Sequence, residues 1–248
     1  MDDSTADIGA WNRIADQYAQ MIGTPEDRIN AAFKDVLWES LGDLRGTRVL
    51  DVGCGHGWLA QAMLADGARV MGVDGSSALL AKARDRCPRA EFIEWDLARG
   101  LPPLAGPFDR IVANMVLMDL PDLGALLAAV RPALAPAGRF IFTLPHPCFF
   151  QQKSEMDPAT GQMFCRVTGY LQPAVWQIES FGGHRHYHRS LTDYCDALRA
   201  SRLAVTRLYE PPQMPYSESN ADFRQKIPKF MLIETMPIAD TRSAREIL

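Results

Sequence analysis

The run Val49-Leu50-Asp51-Val52-Gly53-Cys54-Gly55-His56-Gly57 constrains the fold of this chain more than any other stretch. Strand-forming apolar residues lead into a turn with glycine at every second position, and Trp58 to Leu64 then reads as an apolar helix. Glycine in such a turn allows positive φ and close approach of a ligand to the backbone, while the following helix presents unpaired N–H groups. Strand, glycine turn and helix in this order open an α/β sheet able to hold a nucleotide-like ligand.

The alternation continues. Strands are expected at Val49–Val52, Arg69–Val73, Glu91–Glu94, Arg110–Ala113 and Arg139–Thr143, with helices at Trp58–Ala65, Ser77–Arg86 and Leu123–Leu134. Returns through helices imply parallel neighbours and right-handed crossovers. Gly100 to Pro107 is rich in glycine and proline, so the crossover before the fourth strand should lack a full helix. Upstream, Trp11, Ile14, Ala15, Tyr18 and Ile22 fall at helical spacing. Thr24-Pro25-Glu26-Asp27 reads as the N-cap and first turn of a second helix, with Ile29, Phe33, Val36, Leu37 and Leu41 as its buried stripe.

After Leu144 the period changes. Phe164–Leu171 and Val175–Phe181 are both extended and flank Gln172-Pro173-Ala174, which predicts a β-hairpin between them. Ser190-x-x-Asp193 starts a helix over Tyr194–Ala200, and Ala204–Leu208 with Phe230–Glu234 is expected to close the sheet as an antiparallel pair.

Composition narrows the function classes. Apolar residues make up 47% and charged residues 23% of the 248, which argues against a largely disordered chain. No stretch approaches the roughly 20 apolar residues of a membrane span, and the acidic start Met1 to Asp7 is unlike a secretion signal, so a cytoplasmic location is expected. A net charge of −4 gives no basic surplus for long nucleic acids. Five cysteines, an odd count without C-x-x-C spacing, argue against both a disulfide framework and a zinc site.

The turn spacing narrows the ligand. Gly53-x-Gly55-x-Gly57 departs from the G-x-G-x-x-G of dinucleotide sites, and the strand acid Asp51 points to a cationic ligand. Val70-Met71-Gly72-Val73-Asp74 ends a second strand in a carboxylate, about twenty residues on, where an acid can take both hydroxyls of a ribose. Both marks fit S-adenosylmethionine (SAM).

Together, D-V-G-C-G-H-G, G-V-D-G-S, Trp95-Asp96-Leu97, Phe108 to Asn114 and Leu134 to Phe140 resemble the class I, Rossmann-like SAM-dependent methyltransferases of the bacterial small-molecule type, over about Trp11 to Glu234. The resemblance implies a doubly wound α/β sheet, mostly parallel with an antiparallel edge strand, helices on both faces, an N-terminal helical cap and a hairpin insertion after strand 5. It implies one domain: cap helices over 1–42, SAM-binding core over 43–144, acceptor-side lid over 145–190, the rest of the sheet over 191–235 and a tail over 236–248. By the same resemblance Gly53 and Gly55 hold the methionine end of SAM, Asp51 supports it electrostatically and Asp74 binds the ribose. Asp96 meets the adenine amine in a pocket of Trp95 and Leu97, Asn114 and Met115 lie beside the methionyl group, and Tyr18 closes over its carboxylate. Cys54, Gly75 and Ser76 complete the cofactor-binding set, and S-adenosylhomocysteine is the expected product.

Methyl transfer from a sulfonium needs alignment and exclusion of water more than acid–base machinery. The candidate general bases are His146 and His188, since histidine titrates near neutral pH. His184, His186 and His188 would share one face of a strand, but no sequence neighbour adds an acid or cysteine, so no metal is expected. Arg185 and Arg189 suit an anionic acceptor, and Phe149, Phe150, Tyr170, Trp176 and Tyr187 an aromatic one. Asn114-Met115-Val116-Leu117 lacks the N-P-P-Y pattern used on amines of nucleic acids. The expected activity is methylation of an oxygen, nitrogen or carbon of a small molecule. The alternatives are an RNA or protein methyltransferase, and a SAM-binding protein that does not methylate.

Overall fold

Strands buried on both faces must be apolar at odd and even positions alike, and the central segments here are. The computed structural model describes residues 3–25, 27–212 and 227–239, without the side chains of Arg28 and Ile29. In chain order the elements are α1 Asp3–Met21, α2 Arg28–Leu41, β1 Arg48–Val52, α3 Trp58–Ala65, β2 Arg69–Asp74, α4 Ser77–Arg86, β3 Glu91–Glu94, β4 Phe108–Asn114, α5 Gly124–Ala133 and β5 Leu134–Pro145. The short strands β6 Ser154–Met156, β7 Met163–Cys165, β8 Ala174–Ile178 and β9 His184–His188 follow, then α6 Leu191–Ala200, β10 Leu203–Tyr209 and β11 Phe230–Pro237.

Seven strands form one sheet in the order β10-β11-β5-β4-β1-β2-β3, with β1 to β5 parallel and β11 antiparallel to both neighbours. Period-2 alternation divides the side chains between two cores. Leu50, Ile111, Phe140 and Phe142 pack toward α5 and α6, while Val49, Val112, Ile141 and Leu232 pack toward α2, α3 and α4. The fully buried Phe140 and Phe142 stack at 5.2 Å, and truncating either to alanine should cost about 3–5 kcal/mol. The chain reverses its direction of strand addition between β1 and β4, so the carboxyl ends of β1, β2 and β4 flank a crevice.

Most expected elements are present, including the antiparallel edge pair and the missing crossover helix, which is a single 3-10 turn over Leu97–Arg99. Three details differ. Helix α2 begins at Arg28 because Asp27, not Thr24, is its cap: the Asp27 carboxylate accepts from Asn30 N at 3.1 Å, whereas the Thr24 hydroxyl donates back to Met21 O. Phe33, Val36, Leu37 and Leu41 are buried as expected, and the side chain of Ile29 lies outside the described residues. The insertion holds two hairpins, β6–β7 and β8–β9, and the Val175 segment pairs with His184–His188 rather than with Phe164–Leu171. Gly182 and Gly183, at φ 98° and 102°, supply the reversal, while a turn at Gly169 ends the earlier extended run. Strand β5 also runs longer than expected at both ends. Of the tail, residues 240–248 lie outside the described residues. Among the described residues no helix is long and apolar enough to cross a membrane.

Candidate functional site

The turn after β1 is held by backbone conformations that only glycine adopts without strain. Gly53, Gly55 and Gly57 sit at φ 67°, 52° and 78°. A Cβ on Gly53 would stand 2.4 Å from Val116 Cγ2, whereas one on Gly55 would meet nothing nearer than the Tyr18 ring at 3.6 Å. The acid that ends β2 fastens this turn: the Asp74 carboxylate accepts from Gly55 N and from Ser76 N, each at 2.8 Å. Ser76 caps α4 by accepting from Leu79 N, and its hydroxyl donates to Asn12 Oδ1, which ties α1 across the mouth.

Above this turn lies a cavity roofed by α1. Its wall includes Tyr18, Gly53, Gly55, Asp74, Gly75 and Ser76, and further along Asp96, Leu97, Asn114 and Met115. The Asp96 carboxylate accepts from Ala98 N at 3.0 Å and from the Ser4 hydroxyl at 2.8 Å. Asn114 donates to Asn30 Oδ1 and accepts from the Thr143 hydroxyl, and Met115 N donates to the same hydroxyl oxygen, which holds Met115 at φ 58°. Such a positive φ outside glycine costs on the order of 1 kcal/mol and is retained here at the cavity wall.

Asp51, Cys54 and Trp95 stand behind the wall. Asp51 is buried with Oδ2 unpartnered, and Trp95 Nε1 donates to Gly100 O. Burial, followed by the neighbouring Asp74, pushes the Asp51 carboxyl up to about 8. Burial, Asp7 and Asp74 likewise push Asp119 well above the carboxylate range. Asp7, Asp74, Asp96 and Asp119 all face the cavity, so its electrostatics favour a cation.

Neither His146 nor His188 borders the cavity. Both His146 nitrogens are engaged, Nε2 with Glu210 Oε1 at 2.7 Å and Nδ1 with Cys148 N at 3.1 Å. His188 stacks on Trp176 at 4.5 Å and its Nε2 meets Tyr170 O at 2.8 Å. Arg189 donates to the carbonyls of Leu117, Leu120 and Pro121, and Arg185 pairs with Asp3 and Asp7. Tyr187 donates to Asp7 at 2.7 Å, so none of these groups offers an anion a free donor pair.

The sequence did not point to Ser4, Asp7, Ile8, Val116 or Asp119 as part of this wall, although the helical period of α1 could have drawn in its first turns. Nor did it place an acid beside the alternating histidines. That acid is Asp119, whose Oδ1 lies 3.4 Å from His186 Nε2, which in turn is 3.2 Å from His184 Nε2.

Comparison with known proteins agrees with this geometry. A family described as a methyltransferase domain matches residues 49–138. The trans-aconitate 2-methyltransferase of Azoarcus sp. is 33% identical over 70% of this chain and 71% of its own length. A demethylmenaquinone methyltransferase of Tropheryma whipplei is 33% identical over 53% of this chain, which spans only 55% of that relative. The crystal structure of a SAM-dependent methyltransferase from Mesorhizobium loti superposes with a TM-score of 0.70 at 24% identity, over 83% of this chain and 97% of that one, a likeness of fold.

Proposed function

Since the chain belongs to the class I SAM-dependent methyltransferases, we propose that it moves a methyl group by in-line displacement to an oxygen, nitrogen or carbon of a small-molecule acceptor. One observation carries this reading: a recessed, carboxylate-rich cavity at the carboxyl ends of β1, β2 and β4, whose glycine turn is locked by the β2 acid. The residues fit SAM, because Asp51 is a buried carboxyl with an unpartnered oxygen behind a cavity wall of acids. When bound, SAM supplies an activated methyl on a sulfonium.

In this reading Asp74 accepts the ribose hydroxyls on the lone pairs its two backbone donors leave free, and Gly53 and Gly55 let the backbone approach the methionine end. Asp96 takes the adenine amine beside Leu97, with Trp95 buttressing that wall. Asn114 and Met115 flank the methionyl group, Tyr18 covers it, Gly75 and Ser76 shape the ribose rim, and Asp51 with Cys54 backs the turn. Helix α1 acts as the roof, and 145–190 as the acceptor-side cover. The acceptor side is walled by Trp11, Tyr18 and acids, while Arg185 and Arg189 are engaged elsewhere, which favours an aromatic acceptor over an anionic one. The geometry likewise does not favour His146 or His188 as a base, since both are held away from the cavity by their own hydrogen bonds.

The relatives named above act on trans-aconitate and demethylmenaquinone, which supports a small-molecule acceptor here. The test is transfer of labelled methyl from SAM into a host-cell extract divided into metabolites, RNA and protein. Label is expected in the metabolite fraction. Label in RNA or protein overturns the acceptor class, and SAM binding without any label overturns transfer in favour of a non-methylating binder.

A further inference from the structure

Three lone-pair atoms converge beside the cavity with too few protons among them. His184 and His186 alternate on one face of β9 and are both about 5% exposed, and Asp119 reaches them from the turn after β4. His184 Nε2 and His186 Nε2 are 3.2 Å apart, Asp119 Oδ1 is 3.4 Å from His186 Nε2, and the three atoms all lie within 4.8 Å of one another. A single proton can bridge the two imidazoles. Nothing donates to Asp119 Oδ1, which is buried. A buried carboxyl oxygen without a donor, set beside two imidazole nitrogens, is an arrangement that a bound cation satisfies.

The spacing says which kind of cation. Ligand bonds of roughly 2.0–2.2 Å at a tetrahedral angle put neighbouring donor atoms about 3.4 Å apart. Both measured edges lie near that value. Two imidazoles and one carboxylate are a donor set suited to zinc and its borderline neighbours rather than to calcium or magnesium. The rings of Trp11, Phe150 and Phe181 pack on the two histidines and shield the cluster from water, while Asp119 itself faces the cavity.

We propose that Asp119, His184 and His186 form a binding site for a zinc-class divalent transition-metal ion, with its fourth position directed to the cavity and open to an oxygen donor. The site stands on its own donor geometry and does not depend on the acceptor proposed above.

The test uses the full chain without a histidine tag, stripped with chelator and then titrated with Zn²⁺ and Co²⁺ in the absence of SAM. One tightly held equivalent per chain is expected by elemental analysis after dialysis, and the Co²⁺ form should show the intense visible bands of a four-coordinate nitrogen–oxygen site. His186→Ala and His184→Ala should weaken binding by more than the roughly 100-fold that loss of an outer partner alone can cost. Circular dichroism and SAM affinity report whether the variants fold. Folded wild-type protein that retains no metal, or that gives a six-coordinate Co²⁺ spectrum, overturns the proposal. So does a folded His186→Ala variant that binds as tightly as wild type. Because the metal readout needs neither SAM nor acceptor, its failure is distinguishable from failure of the methyl-transfer reading.

Discussion

Replacing Asp74 with asparagine keeps the shape of the side chain and removes half of its function. In the protein each carboxylate oxygen already accepts one backbone N–H at 2.8 Å, from Gly55 and from Ser76, so each has one lone pair left for a ribose hydroxyl. In asparagine one terminus becomes a donor. It confronts a backbone N–H instead of accepting it, and it can no longer accept from a hydroxyl. Losing one hydrogen bond to a charged acceptor removes about 1.5–3 kcal/mol from SAM binding, which raises Kd roughly 10- to 150-fold. The displaced backbone donor costs the fold about 1–3 kcal/mol, and each kcal/mol lowers Tm by about 2–4 °C in a chain of this size. Calorimetric titration with SAM and with S-adenosylhomocysteine, beside a thermal melt, separates the two effects. A variant whose Tm falls as described while its SAM Kd stays within twofold of wild type would show that Asp74 organises the turn without touching the ribose.

Gly53→Ala places a methyl 2.4 Å from Val116 at a φ of 67°, and should lose about 2 kcal/mol or more of stability with most SAM binding; Val116→Ala in the same chain should restore part of both, and no rescue would mean the turn fails for another reason. Asp51 is expected to remain protonated in the folded protein up to about pH 8 while its unfolded counterpart ionises near 4, so the folded state binds the extra proton and stability falls as pH rises through that window. Denaturant unfolding from pH 5 to 8 should show that fall shrinking in Asp51→Asn, and equal slopes would refute it. Asp7→Ala removes the acceptor shared by Arg185 and Tyr187 and should cost about 2 kcal/mol or more, with amide exchange quickening along α1; unchanged exchange in α1 would exclude the coupling. His146→Ala and His188→Ala should lower Tm yet keep turnover per folded molecule, and loss of turnover at wild-type SAM affinity would restore that histidine as the base.

The parts of this fold legible in the sequence are those fixed by neighbours along the chain. Glycine at every second position, an apolar strand before it and an acid at the end of the next strand are local patterns, and the crevice they line follows from strand order. Choices between equivalent partners were not legible. Thr24 and Asp27 both suit an N-cap, and the geometry that turns the threonine hydroxyl back to Met21 is tertiary. The sequence shows two extended runs after β5, Phe164–Leu171 and Val175–Phe181, whereas four short strands form there, and Gly182-Gly183 turns the second run onto His184–His188. Asp119 is far from His184 in sequence, so no spacing rule could join them; β9 docks on the turn after β4 to do it. His146 carried the right chemistry, but Glu210 and Cys148 engage both of its nitrogens.

Helix α1 is fastened along its length, by Ser4 to Asp96, by Asp7 to Arg185 and Tyr187 on β9, and by Asn12 to the start of α4. A single rigid bar therefore serves as ceiling for the nucleotide crevice and as sidewall for the hairpin. A displacement of this helix at either end is thus felt at both, at the mouth of the crevice and along β9.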